Sequence, residues 1–296
     1  MLAAAPENRL TIPAMSNHSP RCFPPSILRS GAICLLIALG GCTHLPGRFS
    51  APPNETTTRI LALPPVDVLL LGEQHDAPEH QRIHEAVVRS YAERGRLAAL
   101  VIEMAERGRS TAGLPKGADA VQVQTALAWD AKGWPWPAYG PAVMAAVQAG
   151  VPVLGGNQPR TRMREAIADR RLDDRLPDAS LHVQREAIRA GHCGMLPDGQ
   201  IEPMARIQIA RDVAMAHTAA DAAVAGKVVV VLAGSGHVDR LVGVPLHLPP
   251  TLKSESVRLL ASGNRAENAA SFDAVWPTAA VPEKDYCADM KKQMAR

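Results

Sequence analysis

The chain has 296 residues, a formal net charge of +3 and only 3% aromatic residues. Residues 1–41 carry Arg9, Arg21 and Arg29 against Glu7, so most of the positive charge lies there and the rest is nearly neutral. That argues against a nucleic acid as partner. About 255 residues follow, enough for one substantial core.

At the N-terminus, Arg21 and Arg29 precede the apolar run Ala32 to Leu39, which is too short to span a bilayer. That is the arrangement of a secretory signal. The run ends Leu39-Gly40-Gly41-Cys42, which resembles a bacterial lipobox. Small residues there admit the peptidase, and the Cys42 thiol takes the lipid; an ordinary signal with Cys42 incidental is the alternative. The expected organisation is a signal over 1–41, a Pro/Ser/Thr/Asn-rich tether over 42–58 and one domain over 59–296. Thr43, where inner-membrane lipoproteins carry Asp, implies an outer-membrane protein facing the periplasm. Translation from Met1 or from Met15 stays open. Cys193 and Cys287 are the pair left for an oxidising compartment, and a disulfide between them would remove Cys193 as a nucleophile.

The first strand reads from Val66 to Leu71, stops at Gly72 and runs into Glu73-Gln74-His75-Asp76. Asp76-Ala77-Pro78-Glu79 has the pattern of a capping box, which makes Asp76 a cap rather than an acid. Glu73 and His75 have no such structural reason to be there. In the following helix, His80, Ile83, His84, Val87, Val88 and Tyr91 form the core stripe. His80, at its start, leans back toward the turn. A metal is one reading of the His80/His84 spacing, and a pair of hydrogen-bonded core histidines is the other.

The second strand, Leu97 to Ile102, ends at Glu103. With the intervening helix it makes a βαβ unit, so Glu103 is expected beside Glu73 and His75. A helix is predicted over Asp119 to Trp129. The stretch from Trp129 to Tyr139 holds three of the four Trp and one of the three Tyr, with Pro135 and Pro137. It reads as a rigid aromatic loop, either a plug between helices or a wall for a flat ligand.

A helix from Pro141 to Ala149 leads to a third strand, Val151 to Leu154, then Gly155-Gly156-Asn157 and a basic helix from Thr161. A charged helix is predicted over Leu172 to Ala190 and a long one over Ile201 to Ala220. On the latter, Met204, Gln208, Arg211 and Met215 share a face, read either as a polar seam on a crevice or as an Arg211–Asp212 ion pair. The fourth strand, Val228 to Ala233, runs into Gly234-Ser235-Gly236-His237. Late strands are predicted over Val257 to Ala261 and Phe272 to Trp276. The expected fold is thus α/β, with a mainly parallel sheet between helices. Its carboxyl edge gathers Glu73, His75, Glu103, Asn157 and His237, with His80 nearby.

GEQHD, Glu103, WPWPAY, GGNQP, HCG, QIARDVAMA and GSGHV, in that order, resemble the ChaN-type haem-binding lipoproteins of the TIKI superfamily. The resemblance implies haem binding in iron uptake, with an outer-membrane receptor as partner. Without a Cys-x-x-Cys-His motif the haem is expected to be noncovalent, and a carrier is ranked ahead of an enzyme. A homodimer sharing the haem pocket is a further option. Iron ligands are sought among His75, His80, Tyr139 and His237 and the methionines, with Asn157 at the same edge. The alternative is a metal-dependent hydrolase built on the paired Gly-x-x-His motifs. There His75, His237 and Glu103 hold a divalent ion, and Glu73 or Glu103 is the base.

Overall fold

A computed structural model describes residues 55–263 and 269–294. The expected signal and Cys42 lie outside the described residues, as does the tether up to residue 54. The tether's last residues are helical, because α1 spans Glu55–Leu61. No helix among the described residues is long and apolar enough to cross a membrane.

Six strands form one parallel sheet: β1 Val68–Glu73, β2 Leu97–Glu106, β3 Val153–Asn157, β4 Val228–Gly234, β5 Ser254–Ala261 and β6 Ala274–Thr278. Their order is β3-β2-β4-β1-β5-β6. Parallel pairing brings all six carboxyl ends to one edge. β1 and β2 are parallel, as the βαβ reading requires, but they are not neighbours. β4 is inserted between them, with Val231 opposite Leu70 on one side and Val101 on the other. The unbroken valine run explains its central place, since all seven β4 residues are buried.

Both faces of the sheet are covered, which is why the inner strands read as continuous apolar runs rather than alternating ones. Leu69, Leu71, Leu100, Val230 and Leu232 pack with Ile83, Val87 and Val88 of α2 (Pro78–Glu93) and with Val143 of α4 (Trp136–Ala149). On the opposite face, Val68, Leu70, Val101, Val229 and Val231 pack with Met215, Ala216 and Ala219 of a long helix, α7 (Ile201–Asp221). Between them in sequence lie α3 (Ala120–Leu127), α5 (Met163–Ala168) and α6 (Asp178–Gly191).

Three local expectations change. Ala77, not Asp76, is the N-cap of α2, and no side chain caps it. Asp76 instead accepts from Gln74 Nε2 (2.9 Å) and from the Tyr286 hydroxyl, and Glu79 takes the Ala279 amide. Trp136 to Tyr139 is the start of α4 rather than loop, because Pro137 falls in the first turn, where a missing N–H costs nothing. The predicted helix over Leu172 to Ala190 is broken at Pro177, leaving a 3₁₀ segment before α6. Gly155 is required by packing, since a Cβ there would lie 2.0 Å from the Glu106 carbonyl oxygen.

Cys193, after α6, is joined to Cys287 in α8 (Tyr286–Met294) by a disulfide. The C-terminal segment is thereby fastened near the sheet's carboxyl edge, where Lys284 and Tyr286 line a cleft.

Candidate functional site

Adjacent ends of β1 and β4 hold the two Gly-x-x-His segments, with Glu73 in register with Gly234. They build two different clusters. In the first, the buried Glu73 carboxylate sits at the centre. Oε1 accepts from His75 Nδ1 (2.7 Å) and from the Tyr139 hydroxyl (2.8 Å), and Oε2 accepts from Gln81 Nε2 (2.9 Å). Burial would raise the pKa of Glu73, but the His75 hydrogen bond, the neighbouring imidazoles and the Tyr139 hydroxyl hold it below the ordinary value. The Tyr139 hydroxyl is pushed the other way, by burial first and then by Glu73, and stays protonated.

With Nδ1 held by a carboxylate, His75 presents Nε2 to the cleft. Burial disfavours its imidazolium, yet the Glu73 bond and the charges of Glu103 and Glu73 prevail and raise its pKa. The Trp134 ring meets the imidazole edge-on at 4.9 Å. Gly234 leaves room for that ring: a Cβ there would lie 3.0 Å from His75 Nε2 and 3.6 Å from Glu103 Oε2.

In the second cluster a histidine is central. His237 Nδ1 lies 2.6 Å from Asp212 Oδ1 of α7, and Nε2 lies 3.4 Å from Glu103 Oε1. Burial opposes its charge, but the two carboxylates outweigh burial and raise its pKa to about 10. Burial raises Asp212 to about 6 despite the partner. Glu103 is driven down against burial by His237, His75 and the Gly234 amide, which donates to Oε2 at 2.8 Å. Asp212 is the residue that sequence reasoning misplaced, by pairing it with Arg211. Its one visible signal was an acid at helical spacing from Ala205, Ile209, Met215, Ala216 and Ala219.

Both clusters line one cleft of about 570 Å³, inside the roughly 300–1,000 Å³ usual for small-molecule sites. Glu73, His75, Glu103 and His237 therefore meet as expected, joined by Gln208, Arg211 and Asp212 from the polar seam of α7. His80 lies elsewhere. Its Nδ1 accepts the Gln74 amide (2.9 Å), so Nε2 carries the proton and donates to Thr278 Oγ1 (2.8 Å). Burial lowers its pKa to about 4. His84 is buried 3.6 Å from Glu73 Oε2, and burial lowers its pKa too. Asn157 donates through Nδ2 to the Glu103 carbonyl (2.9 Å) and lines a neighbouring cavity instead. The aromatic stretch stands behind His75 as a wall: Trp134 and Trp129 pack on Tyr139, and Trp129 Nε1 donates to the Trp134 carbonyl.

The geometry does not favour a divalent metal on His75, Glu103 and His237. A histidine ligand needs a lone pair, and both nitrogens of His237 face carboxylates as donors. Among the described residues no group of three His, Cys, Asp or Glu is placed to hold a metal ion.

The fold is similar to a solved structure described as cofacial heme binding to ChaN of Campylobacter jejuni. That likeness has a TM-score of 0.58 and 23% identity over 70% of this chain and 87% of that one. The type III effector HopBA1 aligns at a TM-score of 0.39 and 14% identity, over 73% of this chain and 88% of that one. No curated protein matches the chain. The sequence model of one family, described as haem-binding uptake, Tiki superfamily, ChaN, matches residues 60–248, which span β1 to β4 and every residue of the two clusters. The chain belongs to that family.

Proposed function

We propose that this protein binds haem noncovalently in the cleft at the carboxyl edge of the sheet and serves haem or iron uptake as a lipid-anchored protein of the outer membrane. The observation that carries the reading is the state of His75. Glu73 fixes its Nδ1 proton, Trp134 and Gly234 set the ring's position, and Nε2 is turned to the cleft on a side chain that is 44% exposed. An imidazole nitrogen so presented is an accepted axial ligand for haem iron. Tyr139 and His80 support this arrangement from behind, since their polar atoms are already committed. Ala187 and Val242 offer apolar contact on the cleft wall, and Lys284 offers a cation for a propionate. Family membership supports the ligand class. The anchor rests on Leu39 to Cys42 and the sequence before it.

The test is a titration of the purified full chain with haemin, read in the Soret region, beside a metal analysis of untreated protein. Saturable binding is expected, and His75→Ala should shift or abolish the band. An unchanged spectrum in that variant would sink ligation through His75, and absence of saturable binding would sink the proposal itself. Mass spectrometry of the membrane-extracted protein tests the anchor, with an acylated N-terminal Cys42 as the expected result.

A further inference from the structure

Beyond β6 the chain is fastened rather than packed. From residue 279 to residue 292 no side chain is buried, and none joins an apolar cluster among the described residues. α8, nine residues long, is too short to persist by itself in water. This segment is tied by the Ala279 amide to Glu79, by the Tyr286 hydroxyl to Asp76 and by Cys287 to Cys193. Both hydrogen bonds are exposed, so water can take the place of either partner. The disulfide is the tie that water cannot replace.

The ties fall on different walls of the cleft. Asp76 belongs to the turn after β1, and Cys193 follows α6, whose Gln184 and Ala187 line the cleft. The tied segment adds Lys284 and Tyr286 to the same lining, with Lys284 Nζ 5.0 Å from the centre of the Tyr286 ring. One wall of the cleft is therefore held in place by the disulfide. Cys287 is exposed and Cys193 half-buried, which opens the bond to an attacking thiolate; exposed disulfides are the more readily reduced ones.

We propose that Cys193–Cys287 is a redox latch on the cleft. Oxidised, it keeps residues 279–287 in place as a wall; reduced by a dithiol, it releases that wall and weakens binding there. A thiolate of the dithiol attacks one sulfur to form a mixed disulfide, and the other cysteine leaves as a thiolate and takes up a proton. The second thiol of the reductant then displaces the first cysteine. Two electrons and two protons pass to Cys193 and Cys287, and the dithiol becomes a disulfide. That the ligand so released is haem rests on the function proposed above.

The test uses two samples of the full chain alkylated with iodoacetamide, one of them after reduction with dithiothreitol, both then freed of reagent. Haemin titration in the Soret region reads binding, and amide hydrogen exchange without haemin reads the latch. Reduction should weaken haemin binding about tenfold, equivalent to losing one charged contact such as that of Lys284. Tyr286–Met294 should lose amide protection while β1 and β4 keep theirs. The double variant Cys193→Ser, Cys287→Ser should match the reduced sample. Lys284→Ala, with the disulfide intact, should bind haemin more weakly and keep its protection. Equal haemin affinity in the two samples, or unchanged exchange in α8, would overturn the latch. So would loss of protection throughout β1 and β4 on reduction, because the disulfide would then hold the whole fold. Absence of haemin binding in the oxidised sample would instead overturn the haem reading, and the exchange result would judge the latch by itself.

Discussion

The two Gly-x-x-His segments have the same local grammar, an apolar parallel strand followed by a turn, yet their histidines end in opposite states. His75 flanks a buried acid that also accepts from Gln81 and Tyr139, and its side chain is 44% exposed. His237 lies between two acids and is 11% exposed. In the first case the carboxylate is the fixed point and the imidazole is free to meet a ligand. In the second the imidazolium is itself the fixed point, compensating Glu103 and Asp212. Motif identity therefore does not set the role of a histidine; the groups brought to it from other elements do.

The comparison can be broken most severely at His237. Replacing it with Leu leaves two buried carboxylates without a counter-charge, which should cost about 3–5 kcal/mol in urea denaturation. A loss under ~1 kcal/mol, at the level of a surface pair, would show that the second cluster is not the anchor described. The same residue sets an alkaline limit. Its pKa is raised from 6.5 to about 10 in the fold, so its contribution is complete below pH 6.5 and declines as pH rises toward 10. Thermal midpoints should fall across that window in the wild-type chain and much less in His237→Gln.

An acidic limit is set outside both clusters, at His80. His80 is neutral in the fold, with its pKa lowered to about 4, so the unfolded chain takes up a proton that the fold refuses as pH drops below 6.5. Stability on the order of 2–3 kcal/mol should be lost between pH 6.5 and 4 from this residue. His80→Gln should flatten that part of the profile. Tyr139→Phe removes one donor from the buried Glu73 and should cost about 1.5–2 kcal/mol. His75→Gln, at the exposed member, should change stability by less than ~1 kcal/mol while removing the haemin response. A large stability loss there would make His75 structural and erase the contrast with His237.

Much of this architecture was legible because strand ends announce themselves. The apolar runs of β1, β2 and β4 lead into Glu73, Glu103 and Gly234, and that of β3 into Gly155-Gly156-Asn157. Parallel pairing does the rest, since it puts all such stops at one edge. What could not be read was long-range partnering. Asp212 is 25 residues from His237 on a helix covering the opposite face from α2, and nothing local distinguishes its pairing there from one with Arg211. Asp76 has the spacing of a cap, yet a hydroxyl 210 residues away claims it. Pro137 was misread because a proline's meaning depends on whether it falls in a first turn or later.

The sequence by itself determined the elements, their parallel sense and the set of residues that can reach the site, because burial on both faces dictates composition strand by strand. Only the tertiary structure decided that β4 stands between β1 and β2, which brings the two motifs edge to edge. It alone decided which histidine is left exposed at the cleft and which is locked between two carboxylates. Protonation follows from the charges and donors within a few ångströms, and those come from helices far away in the chain.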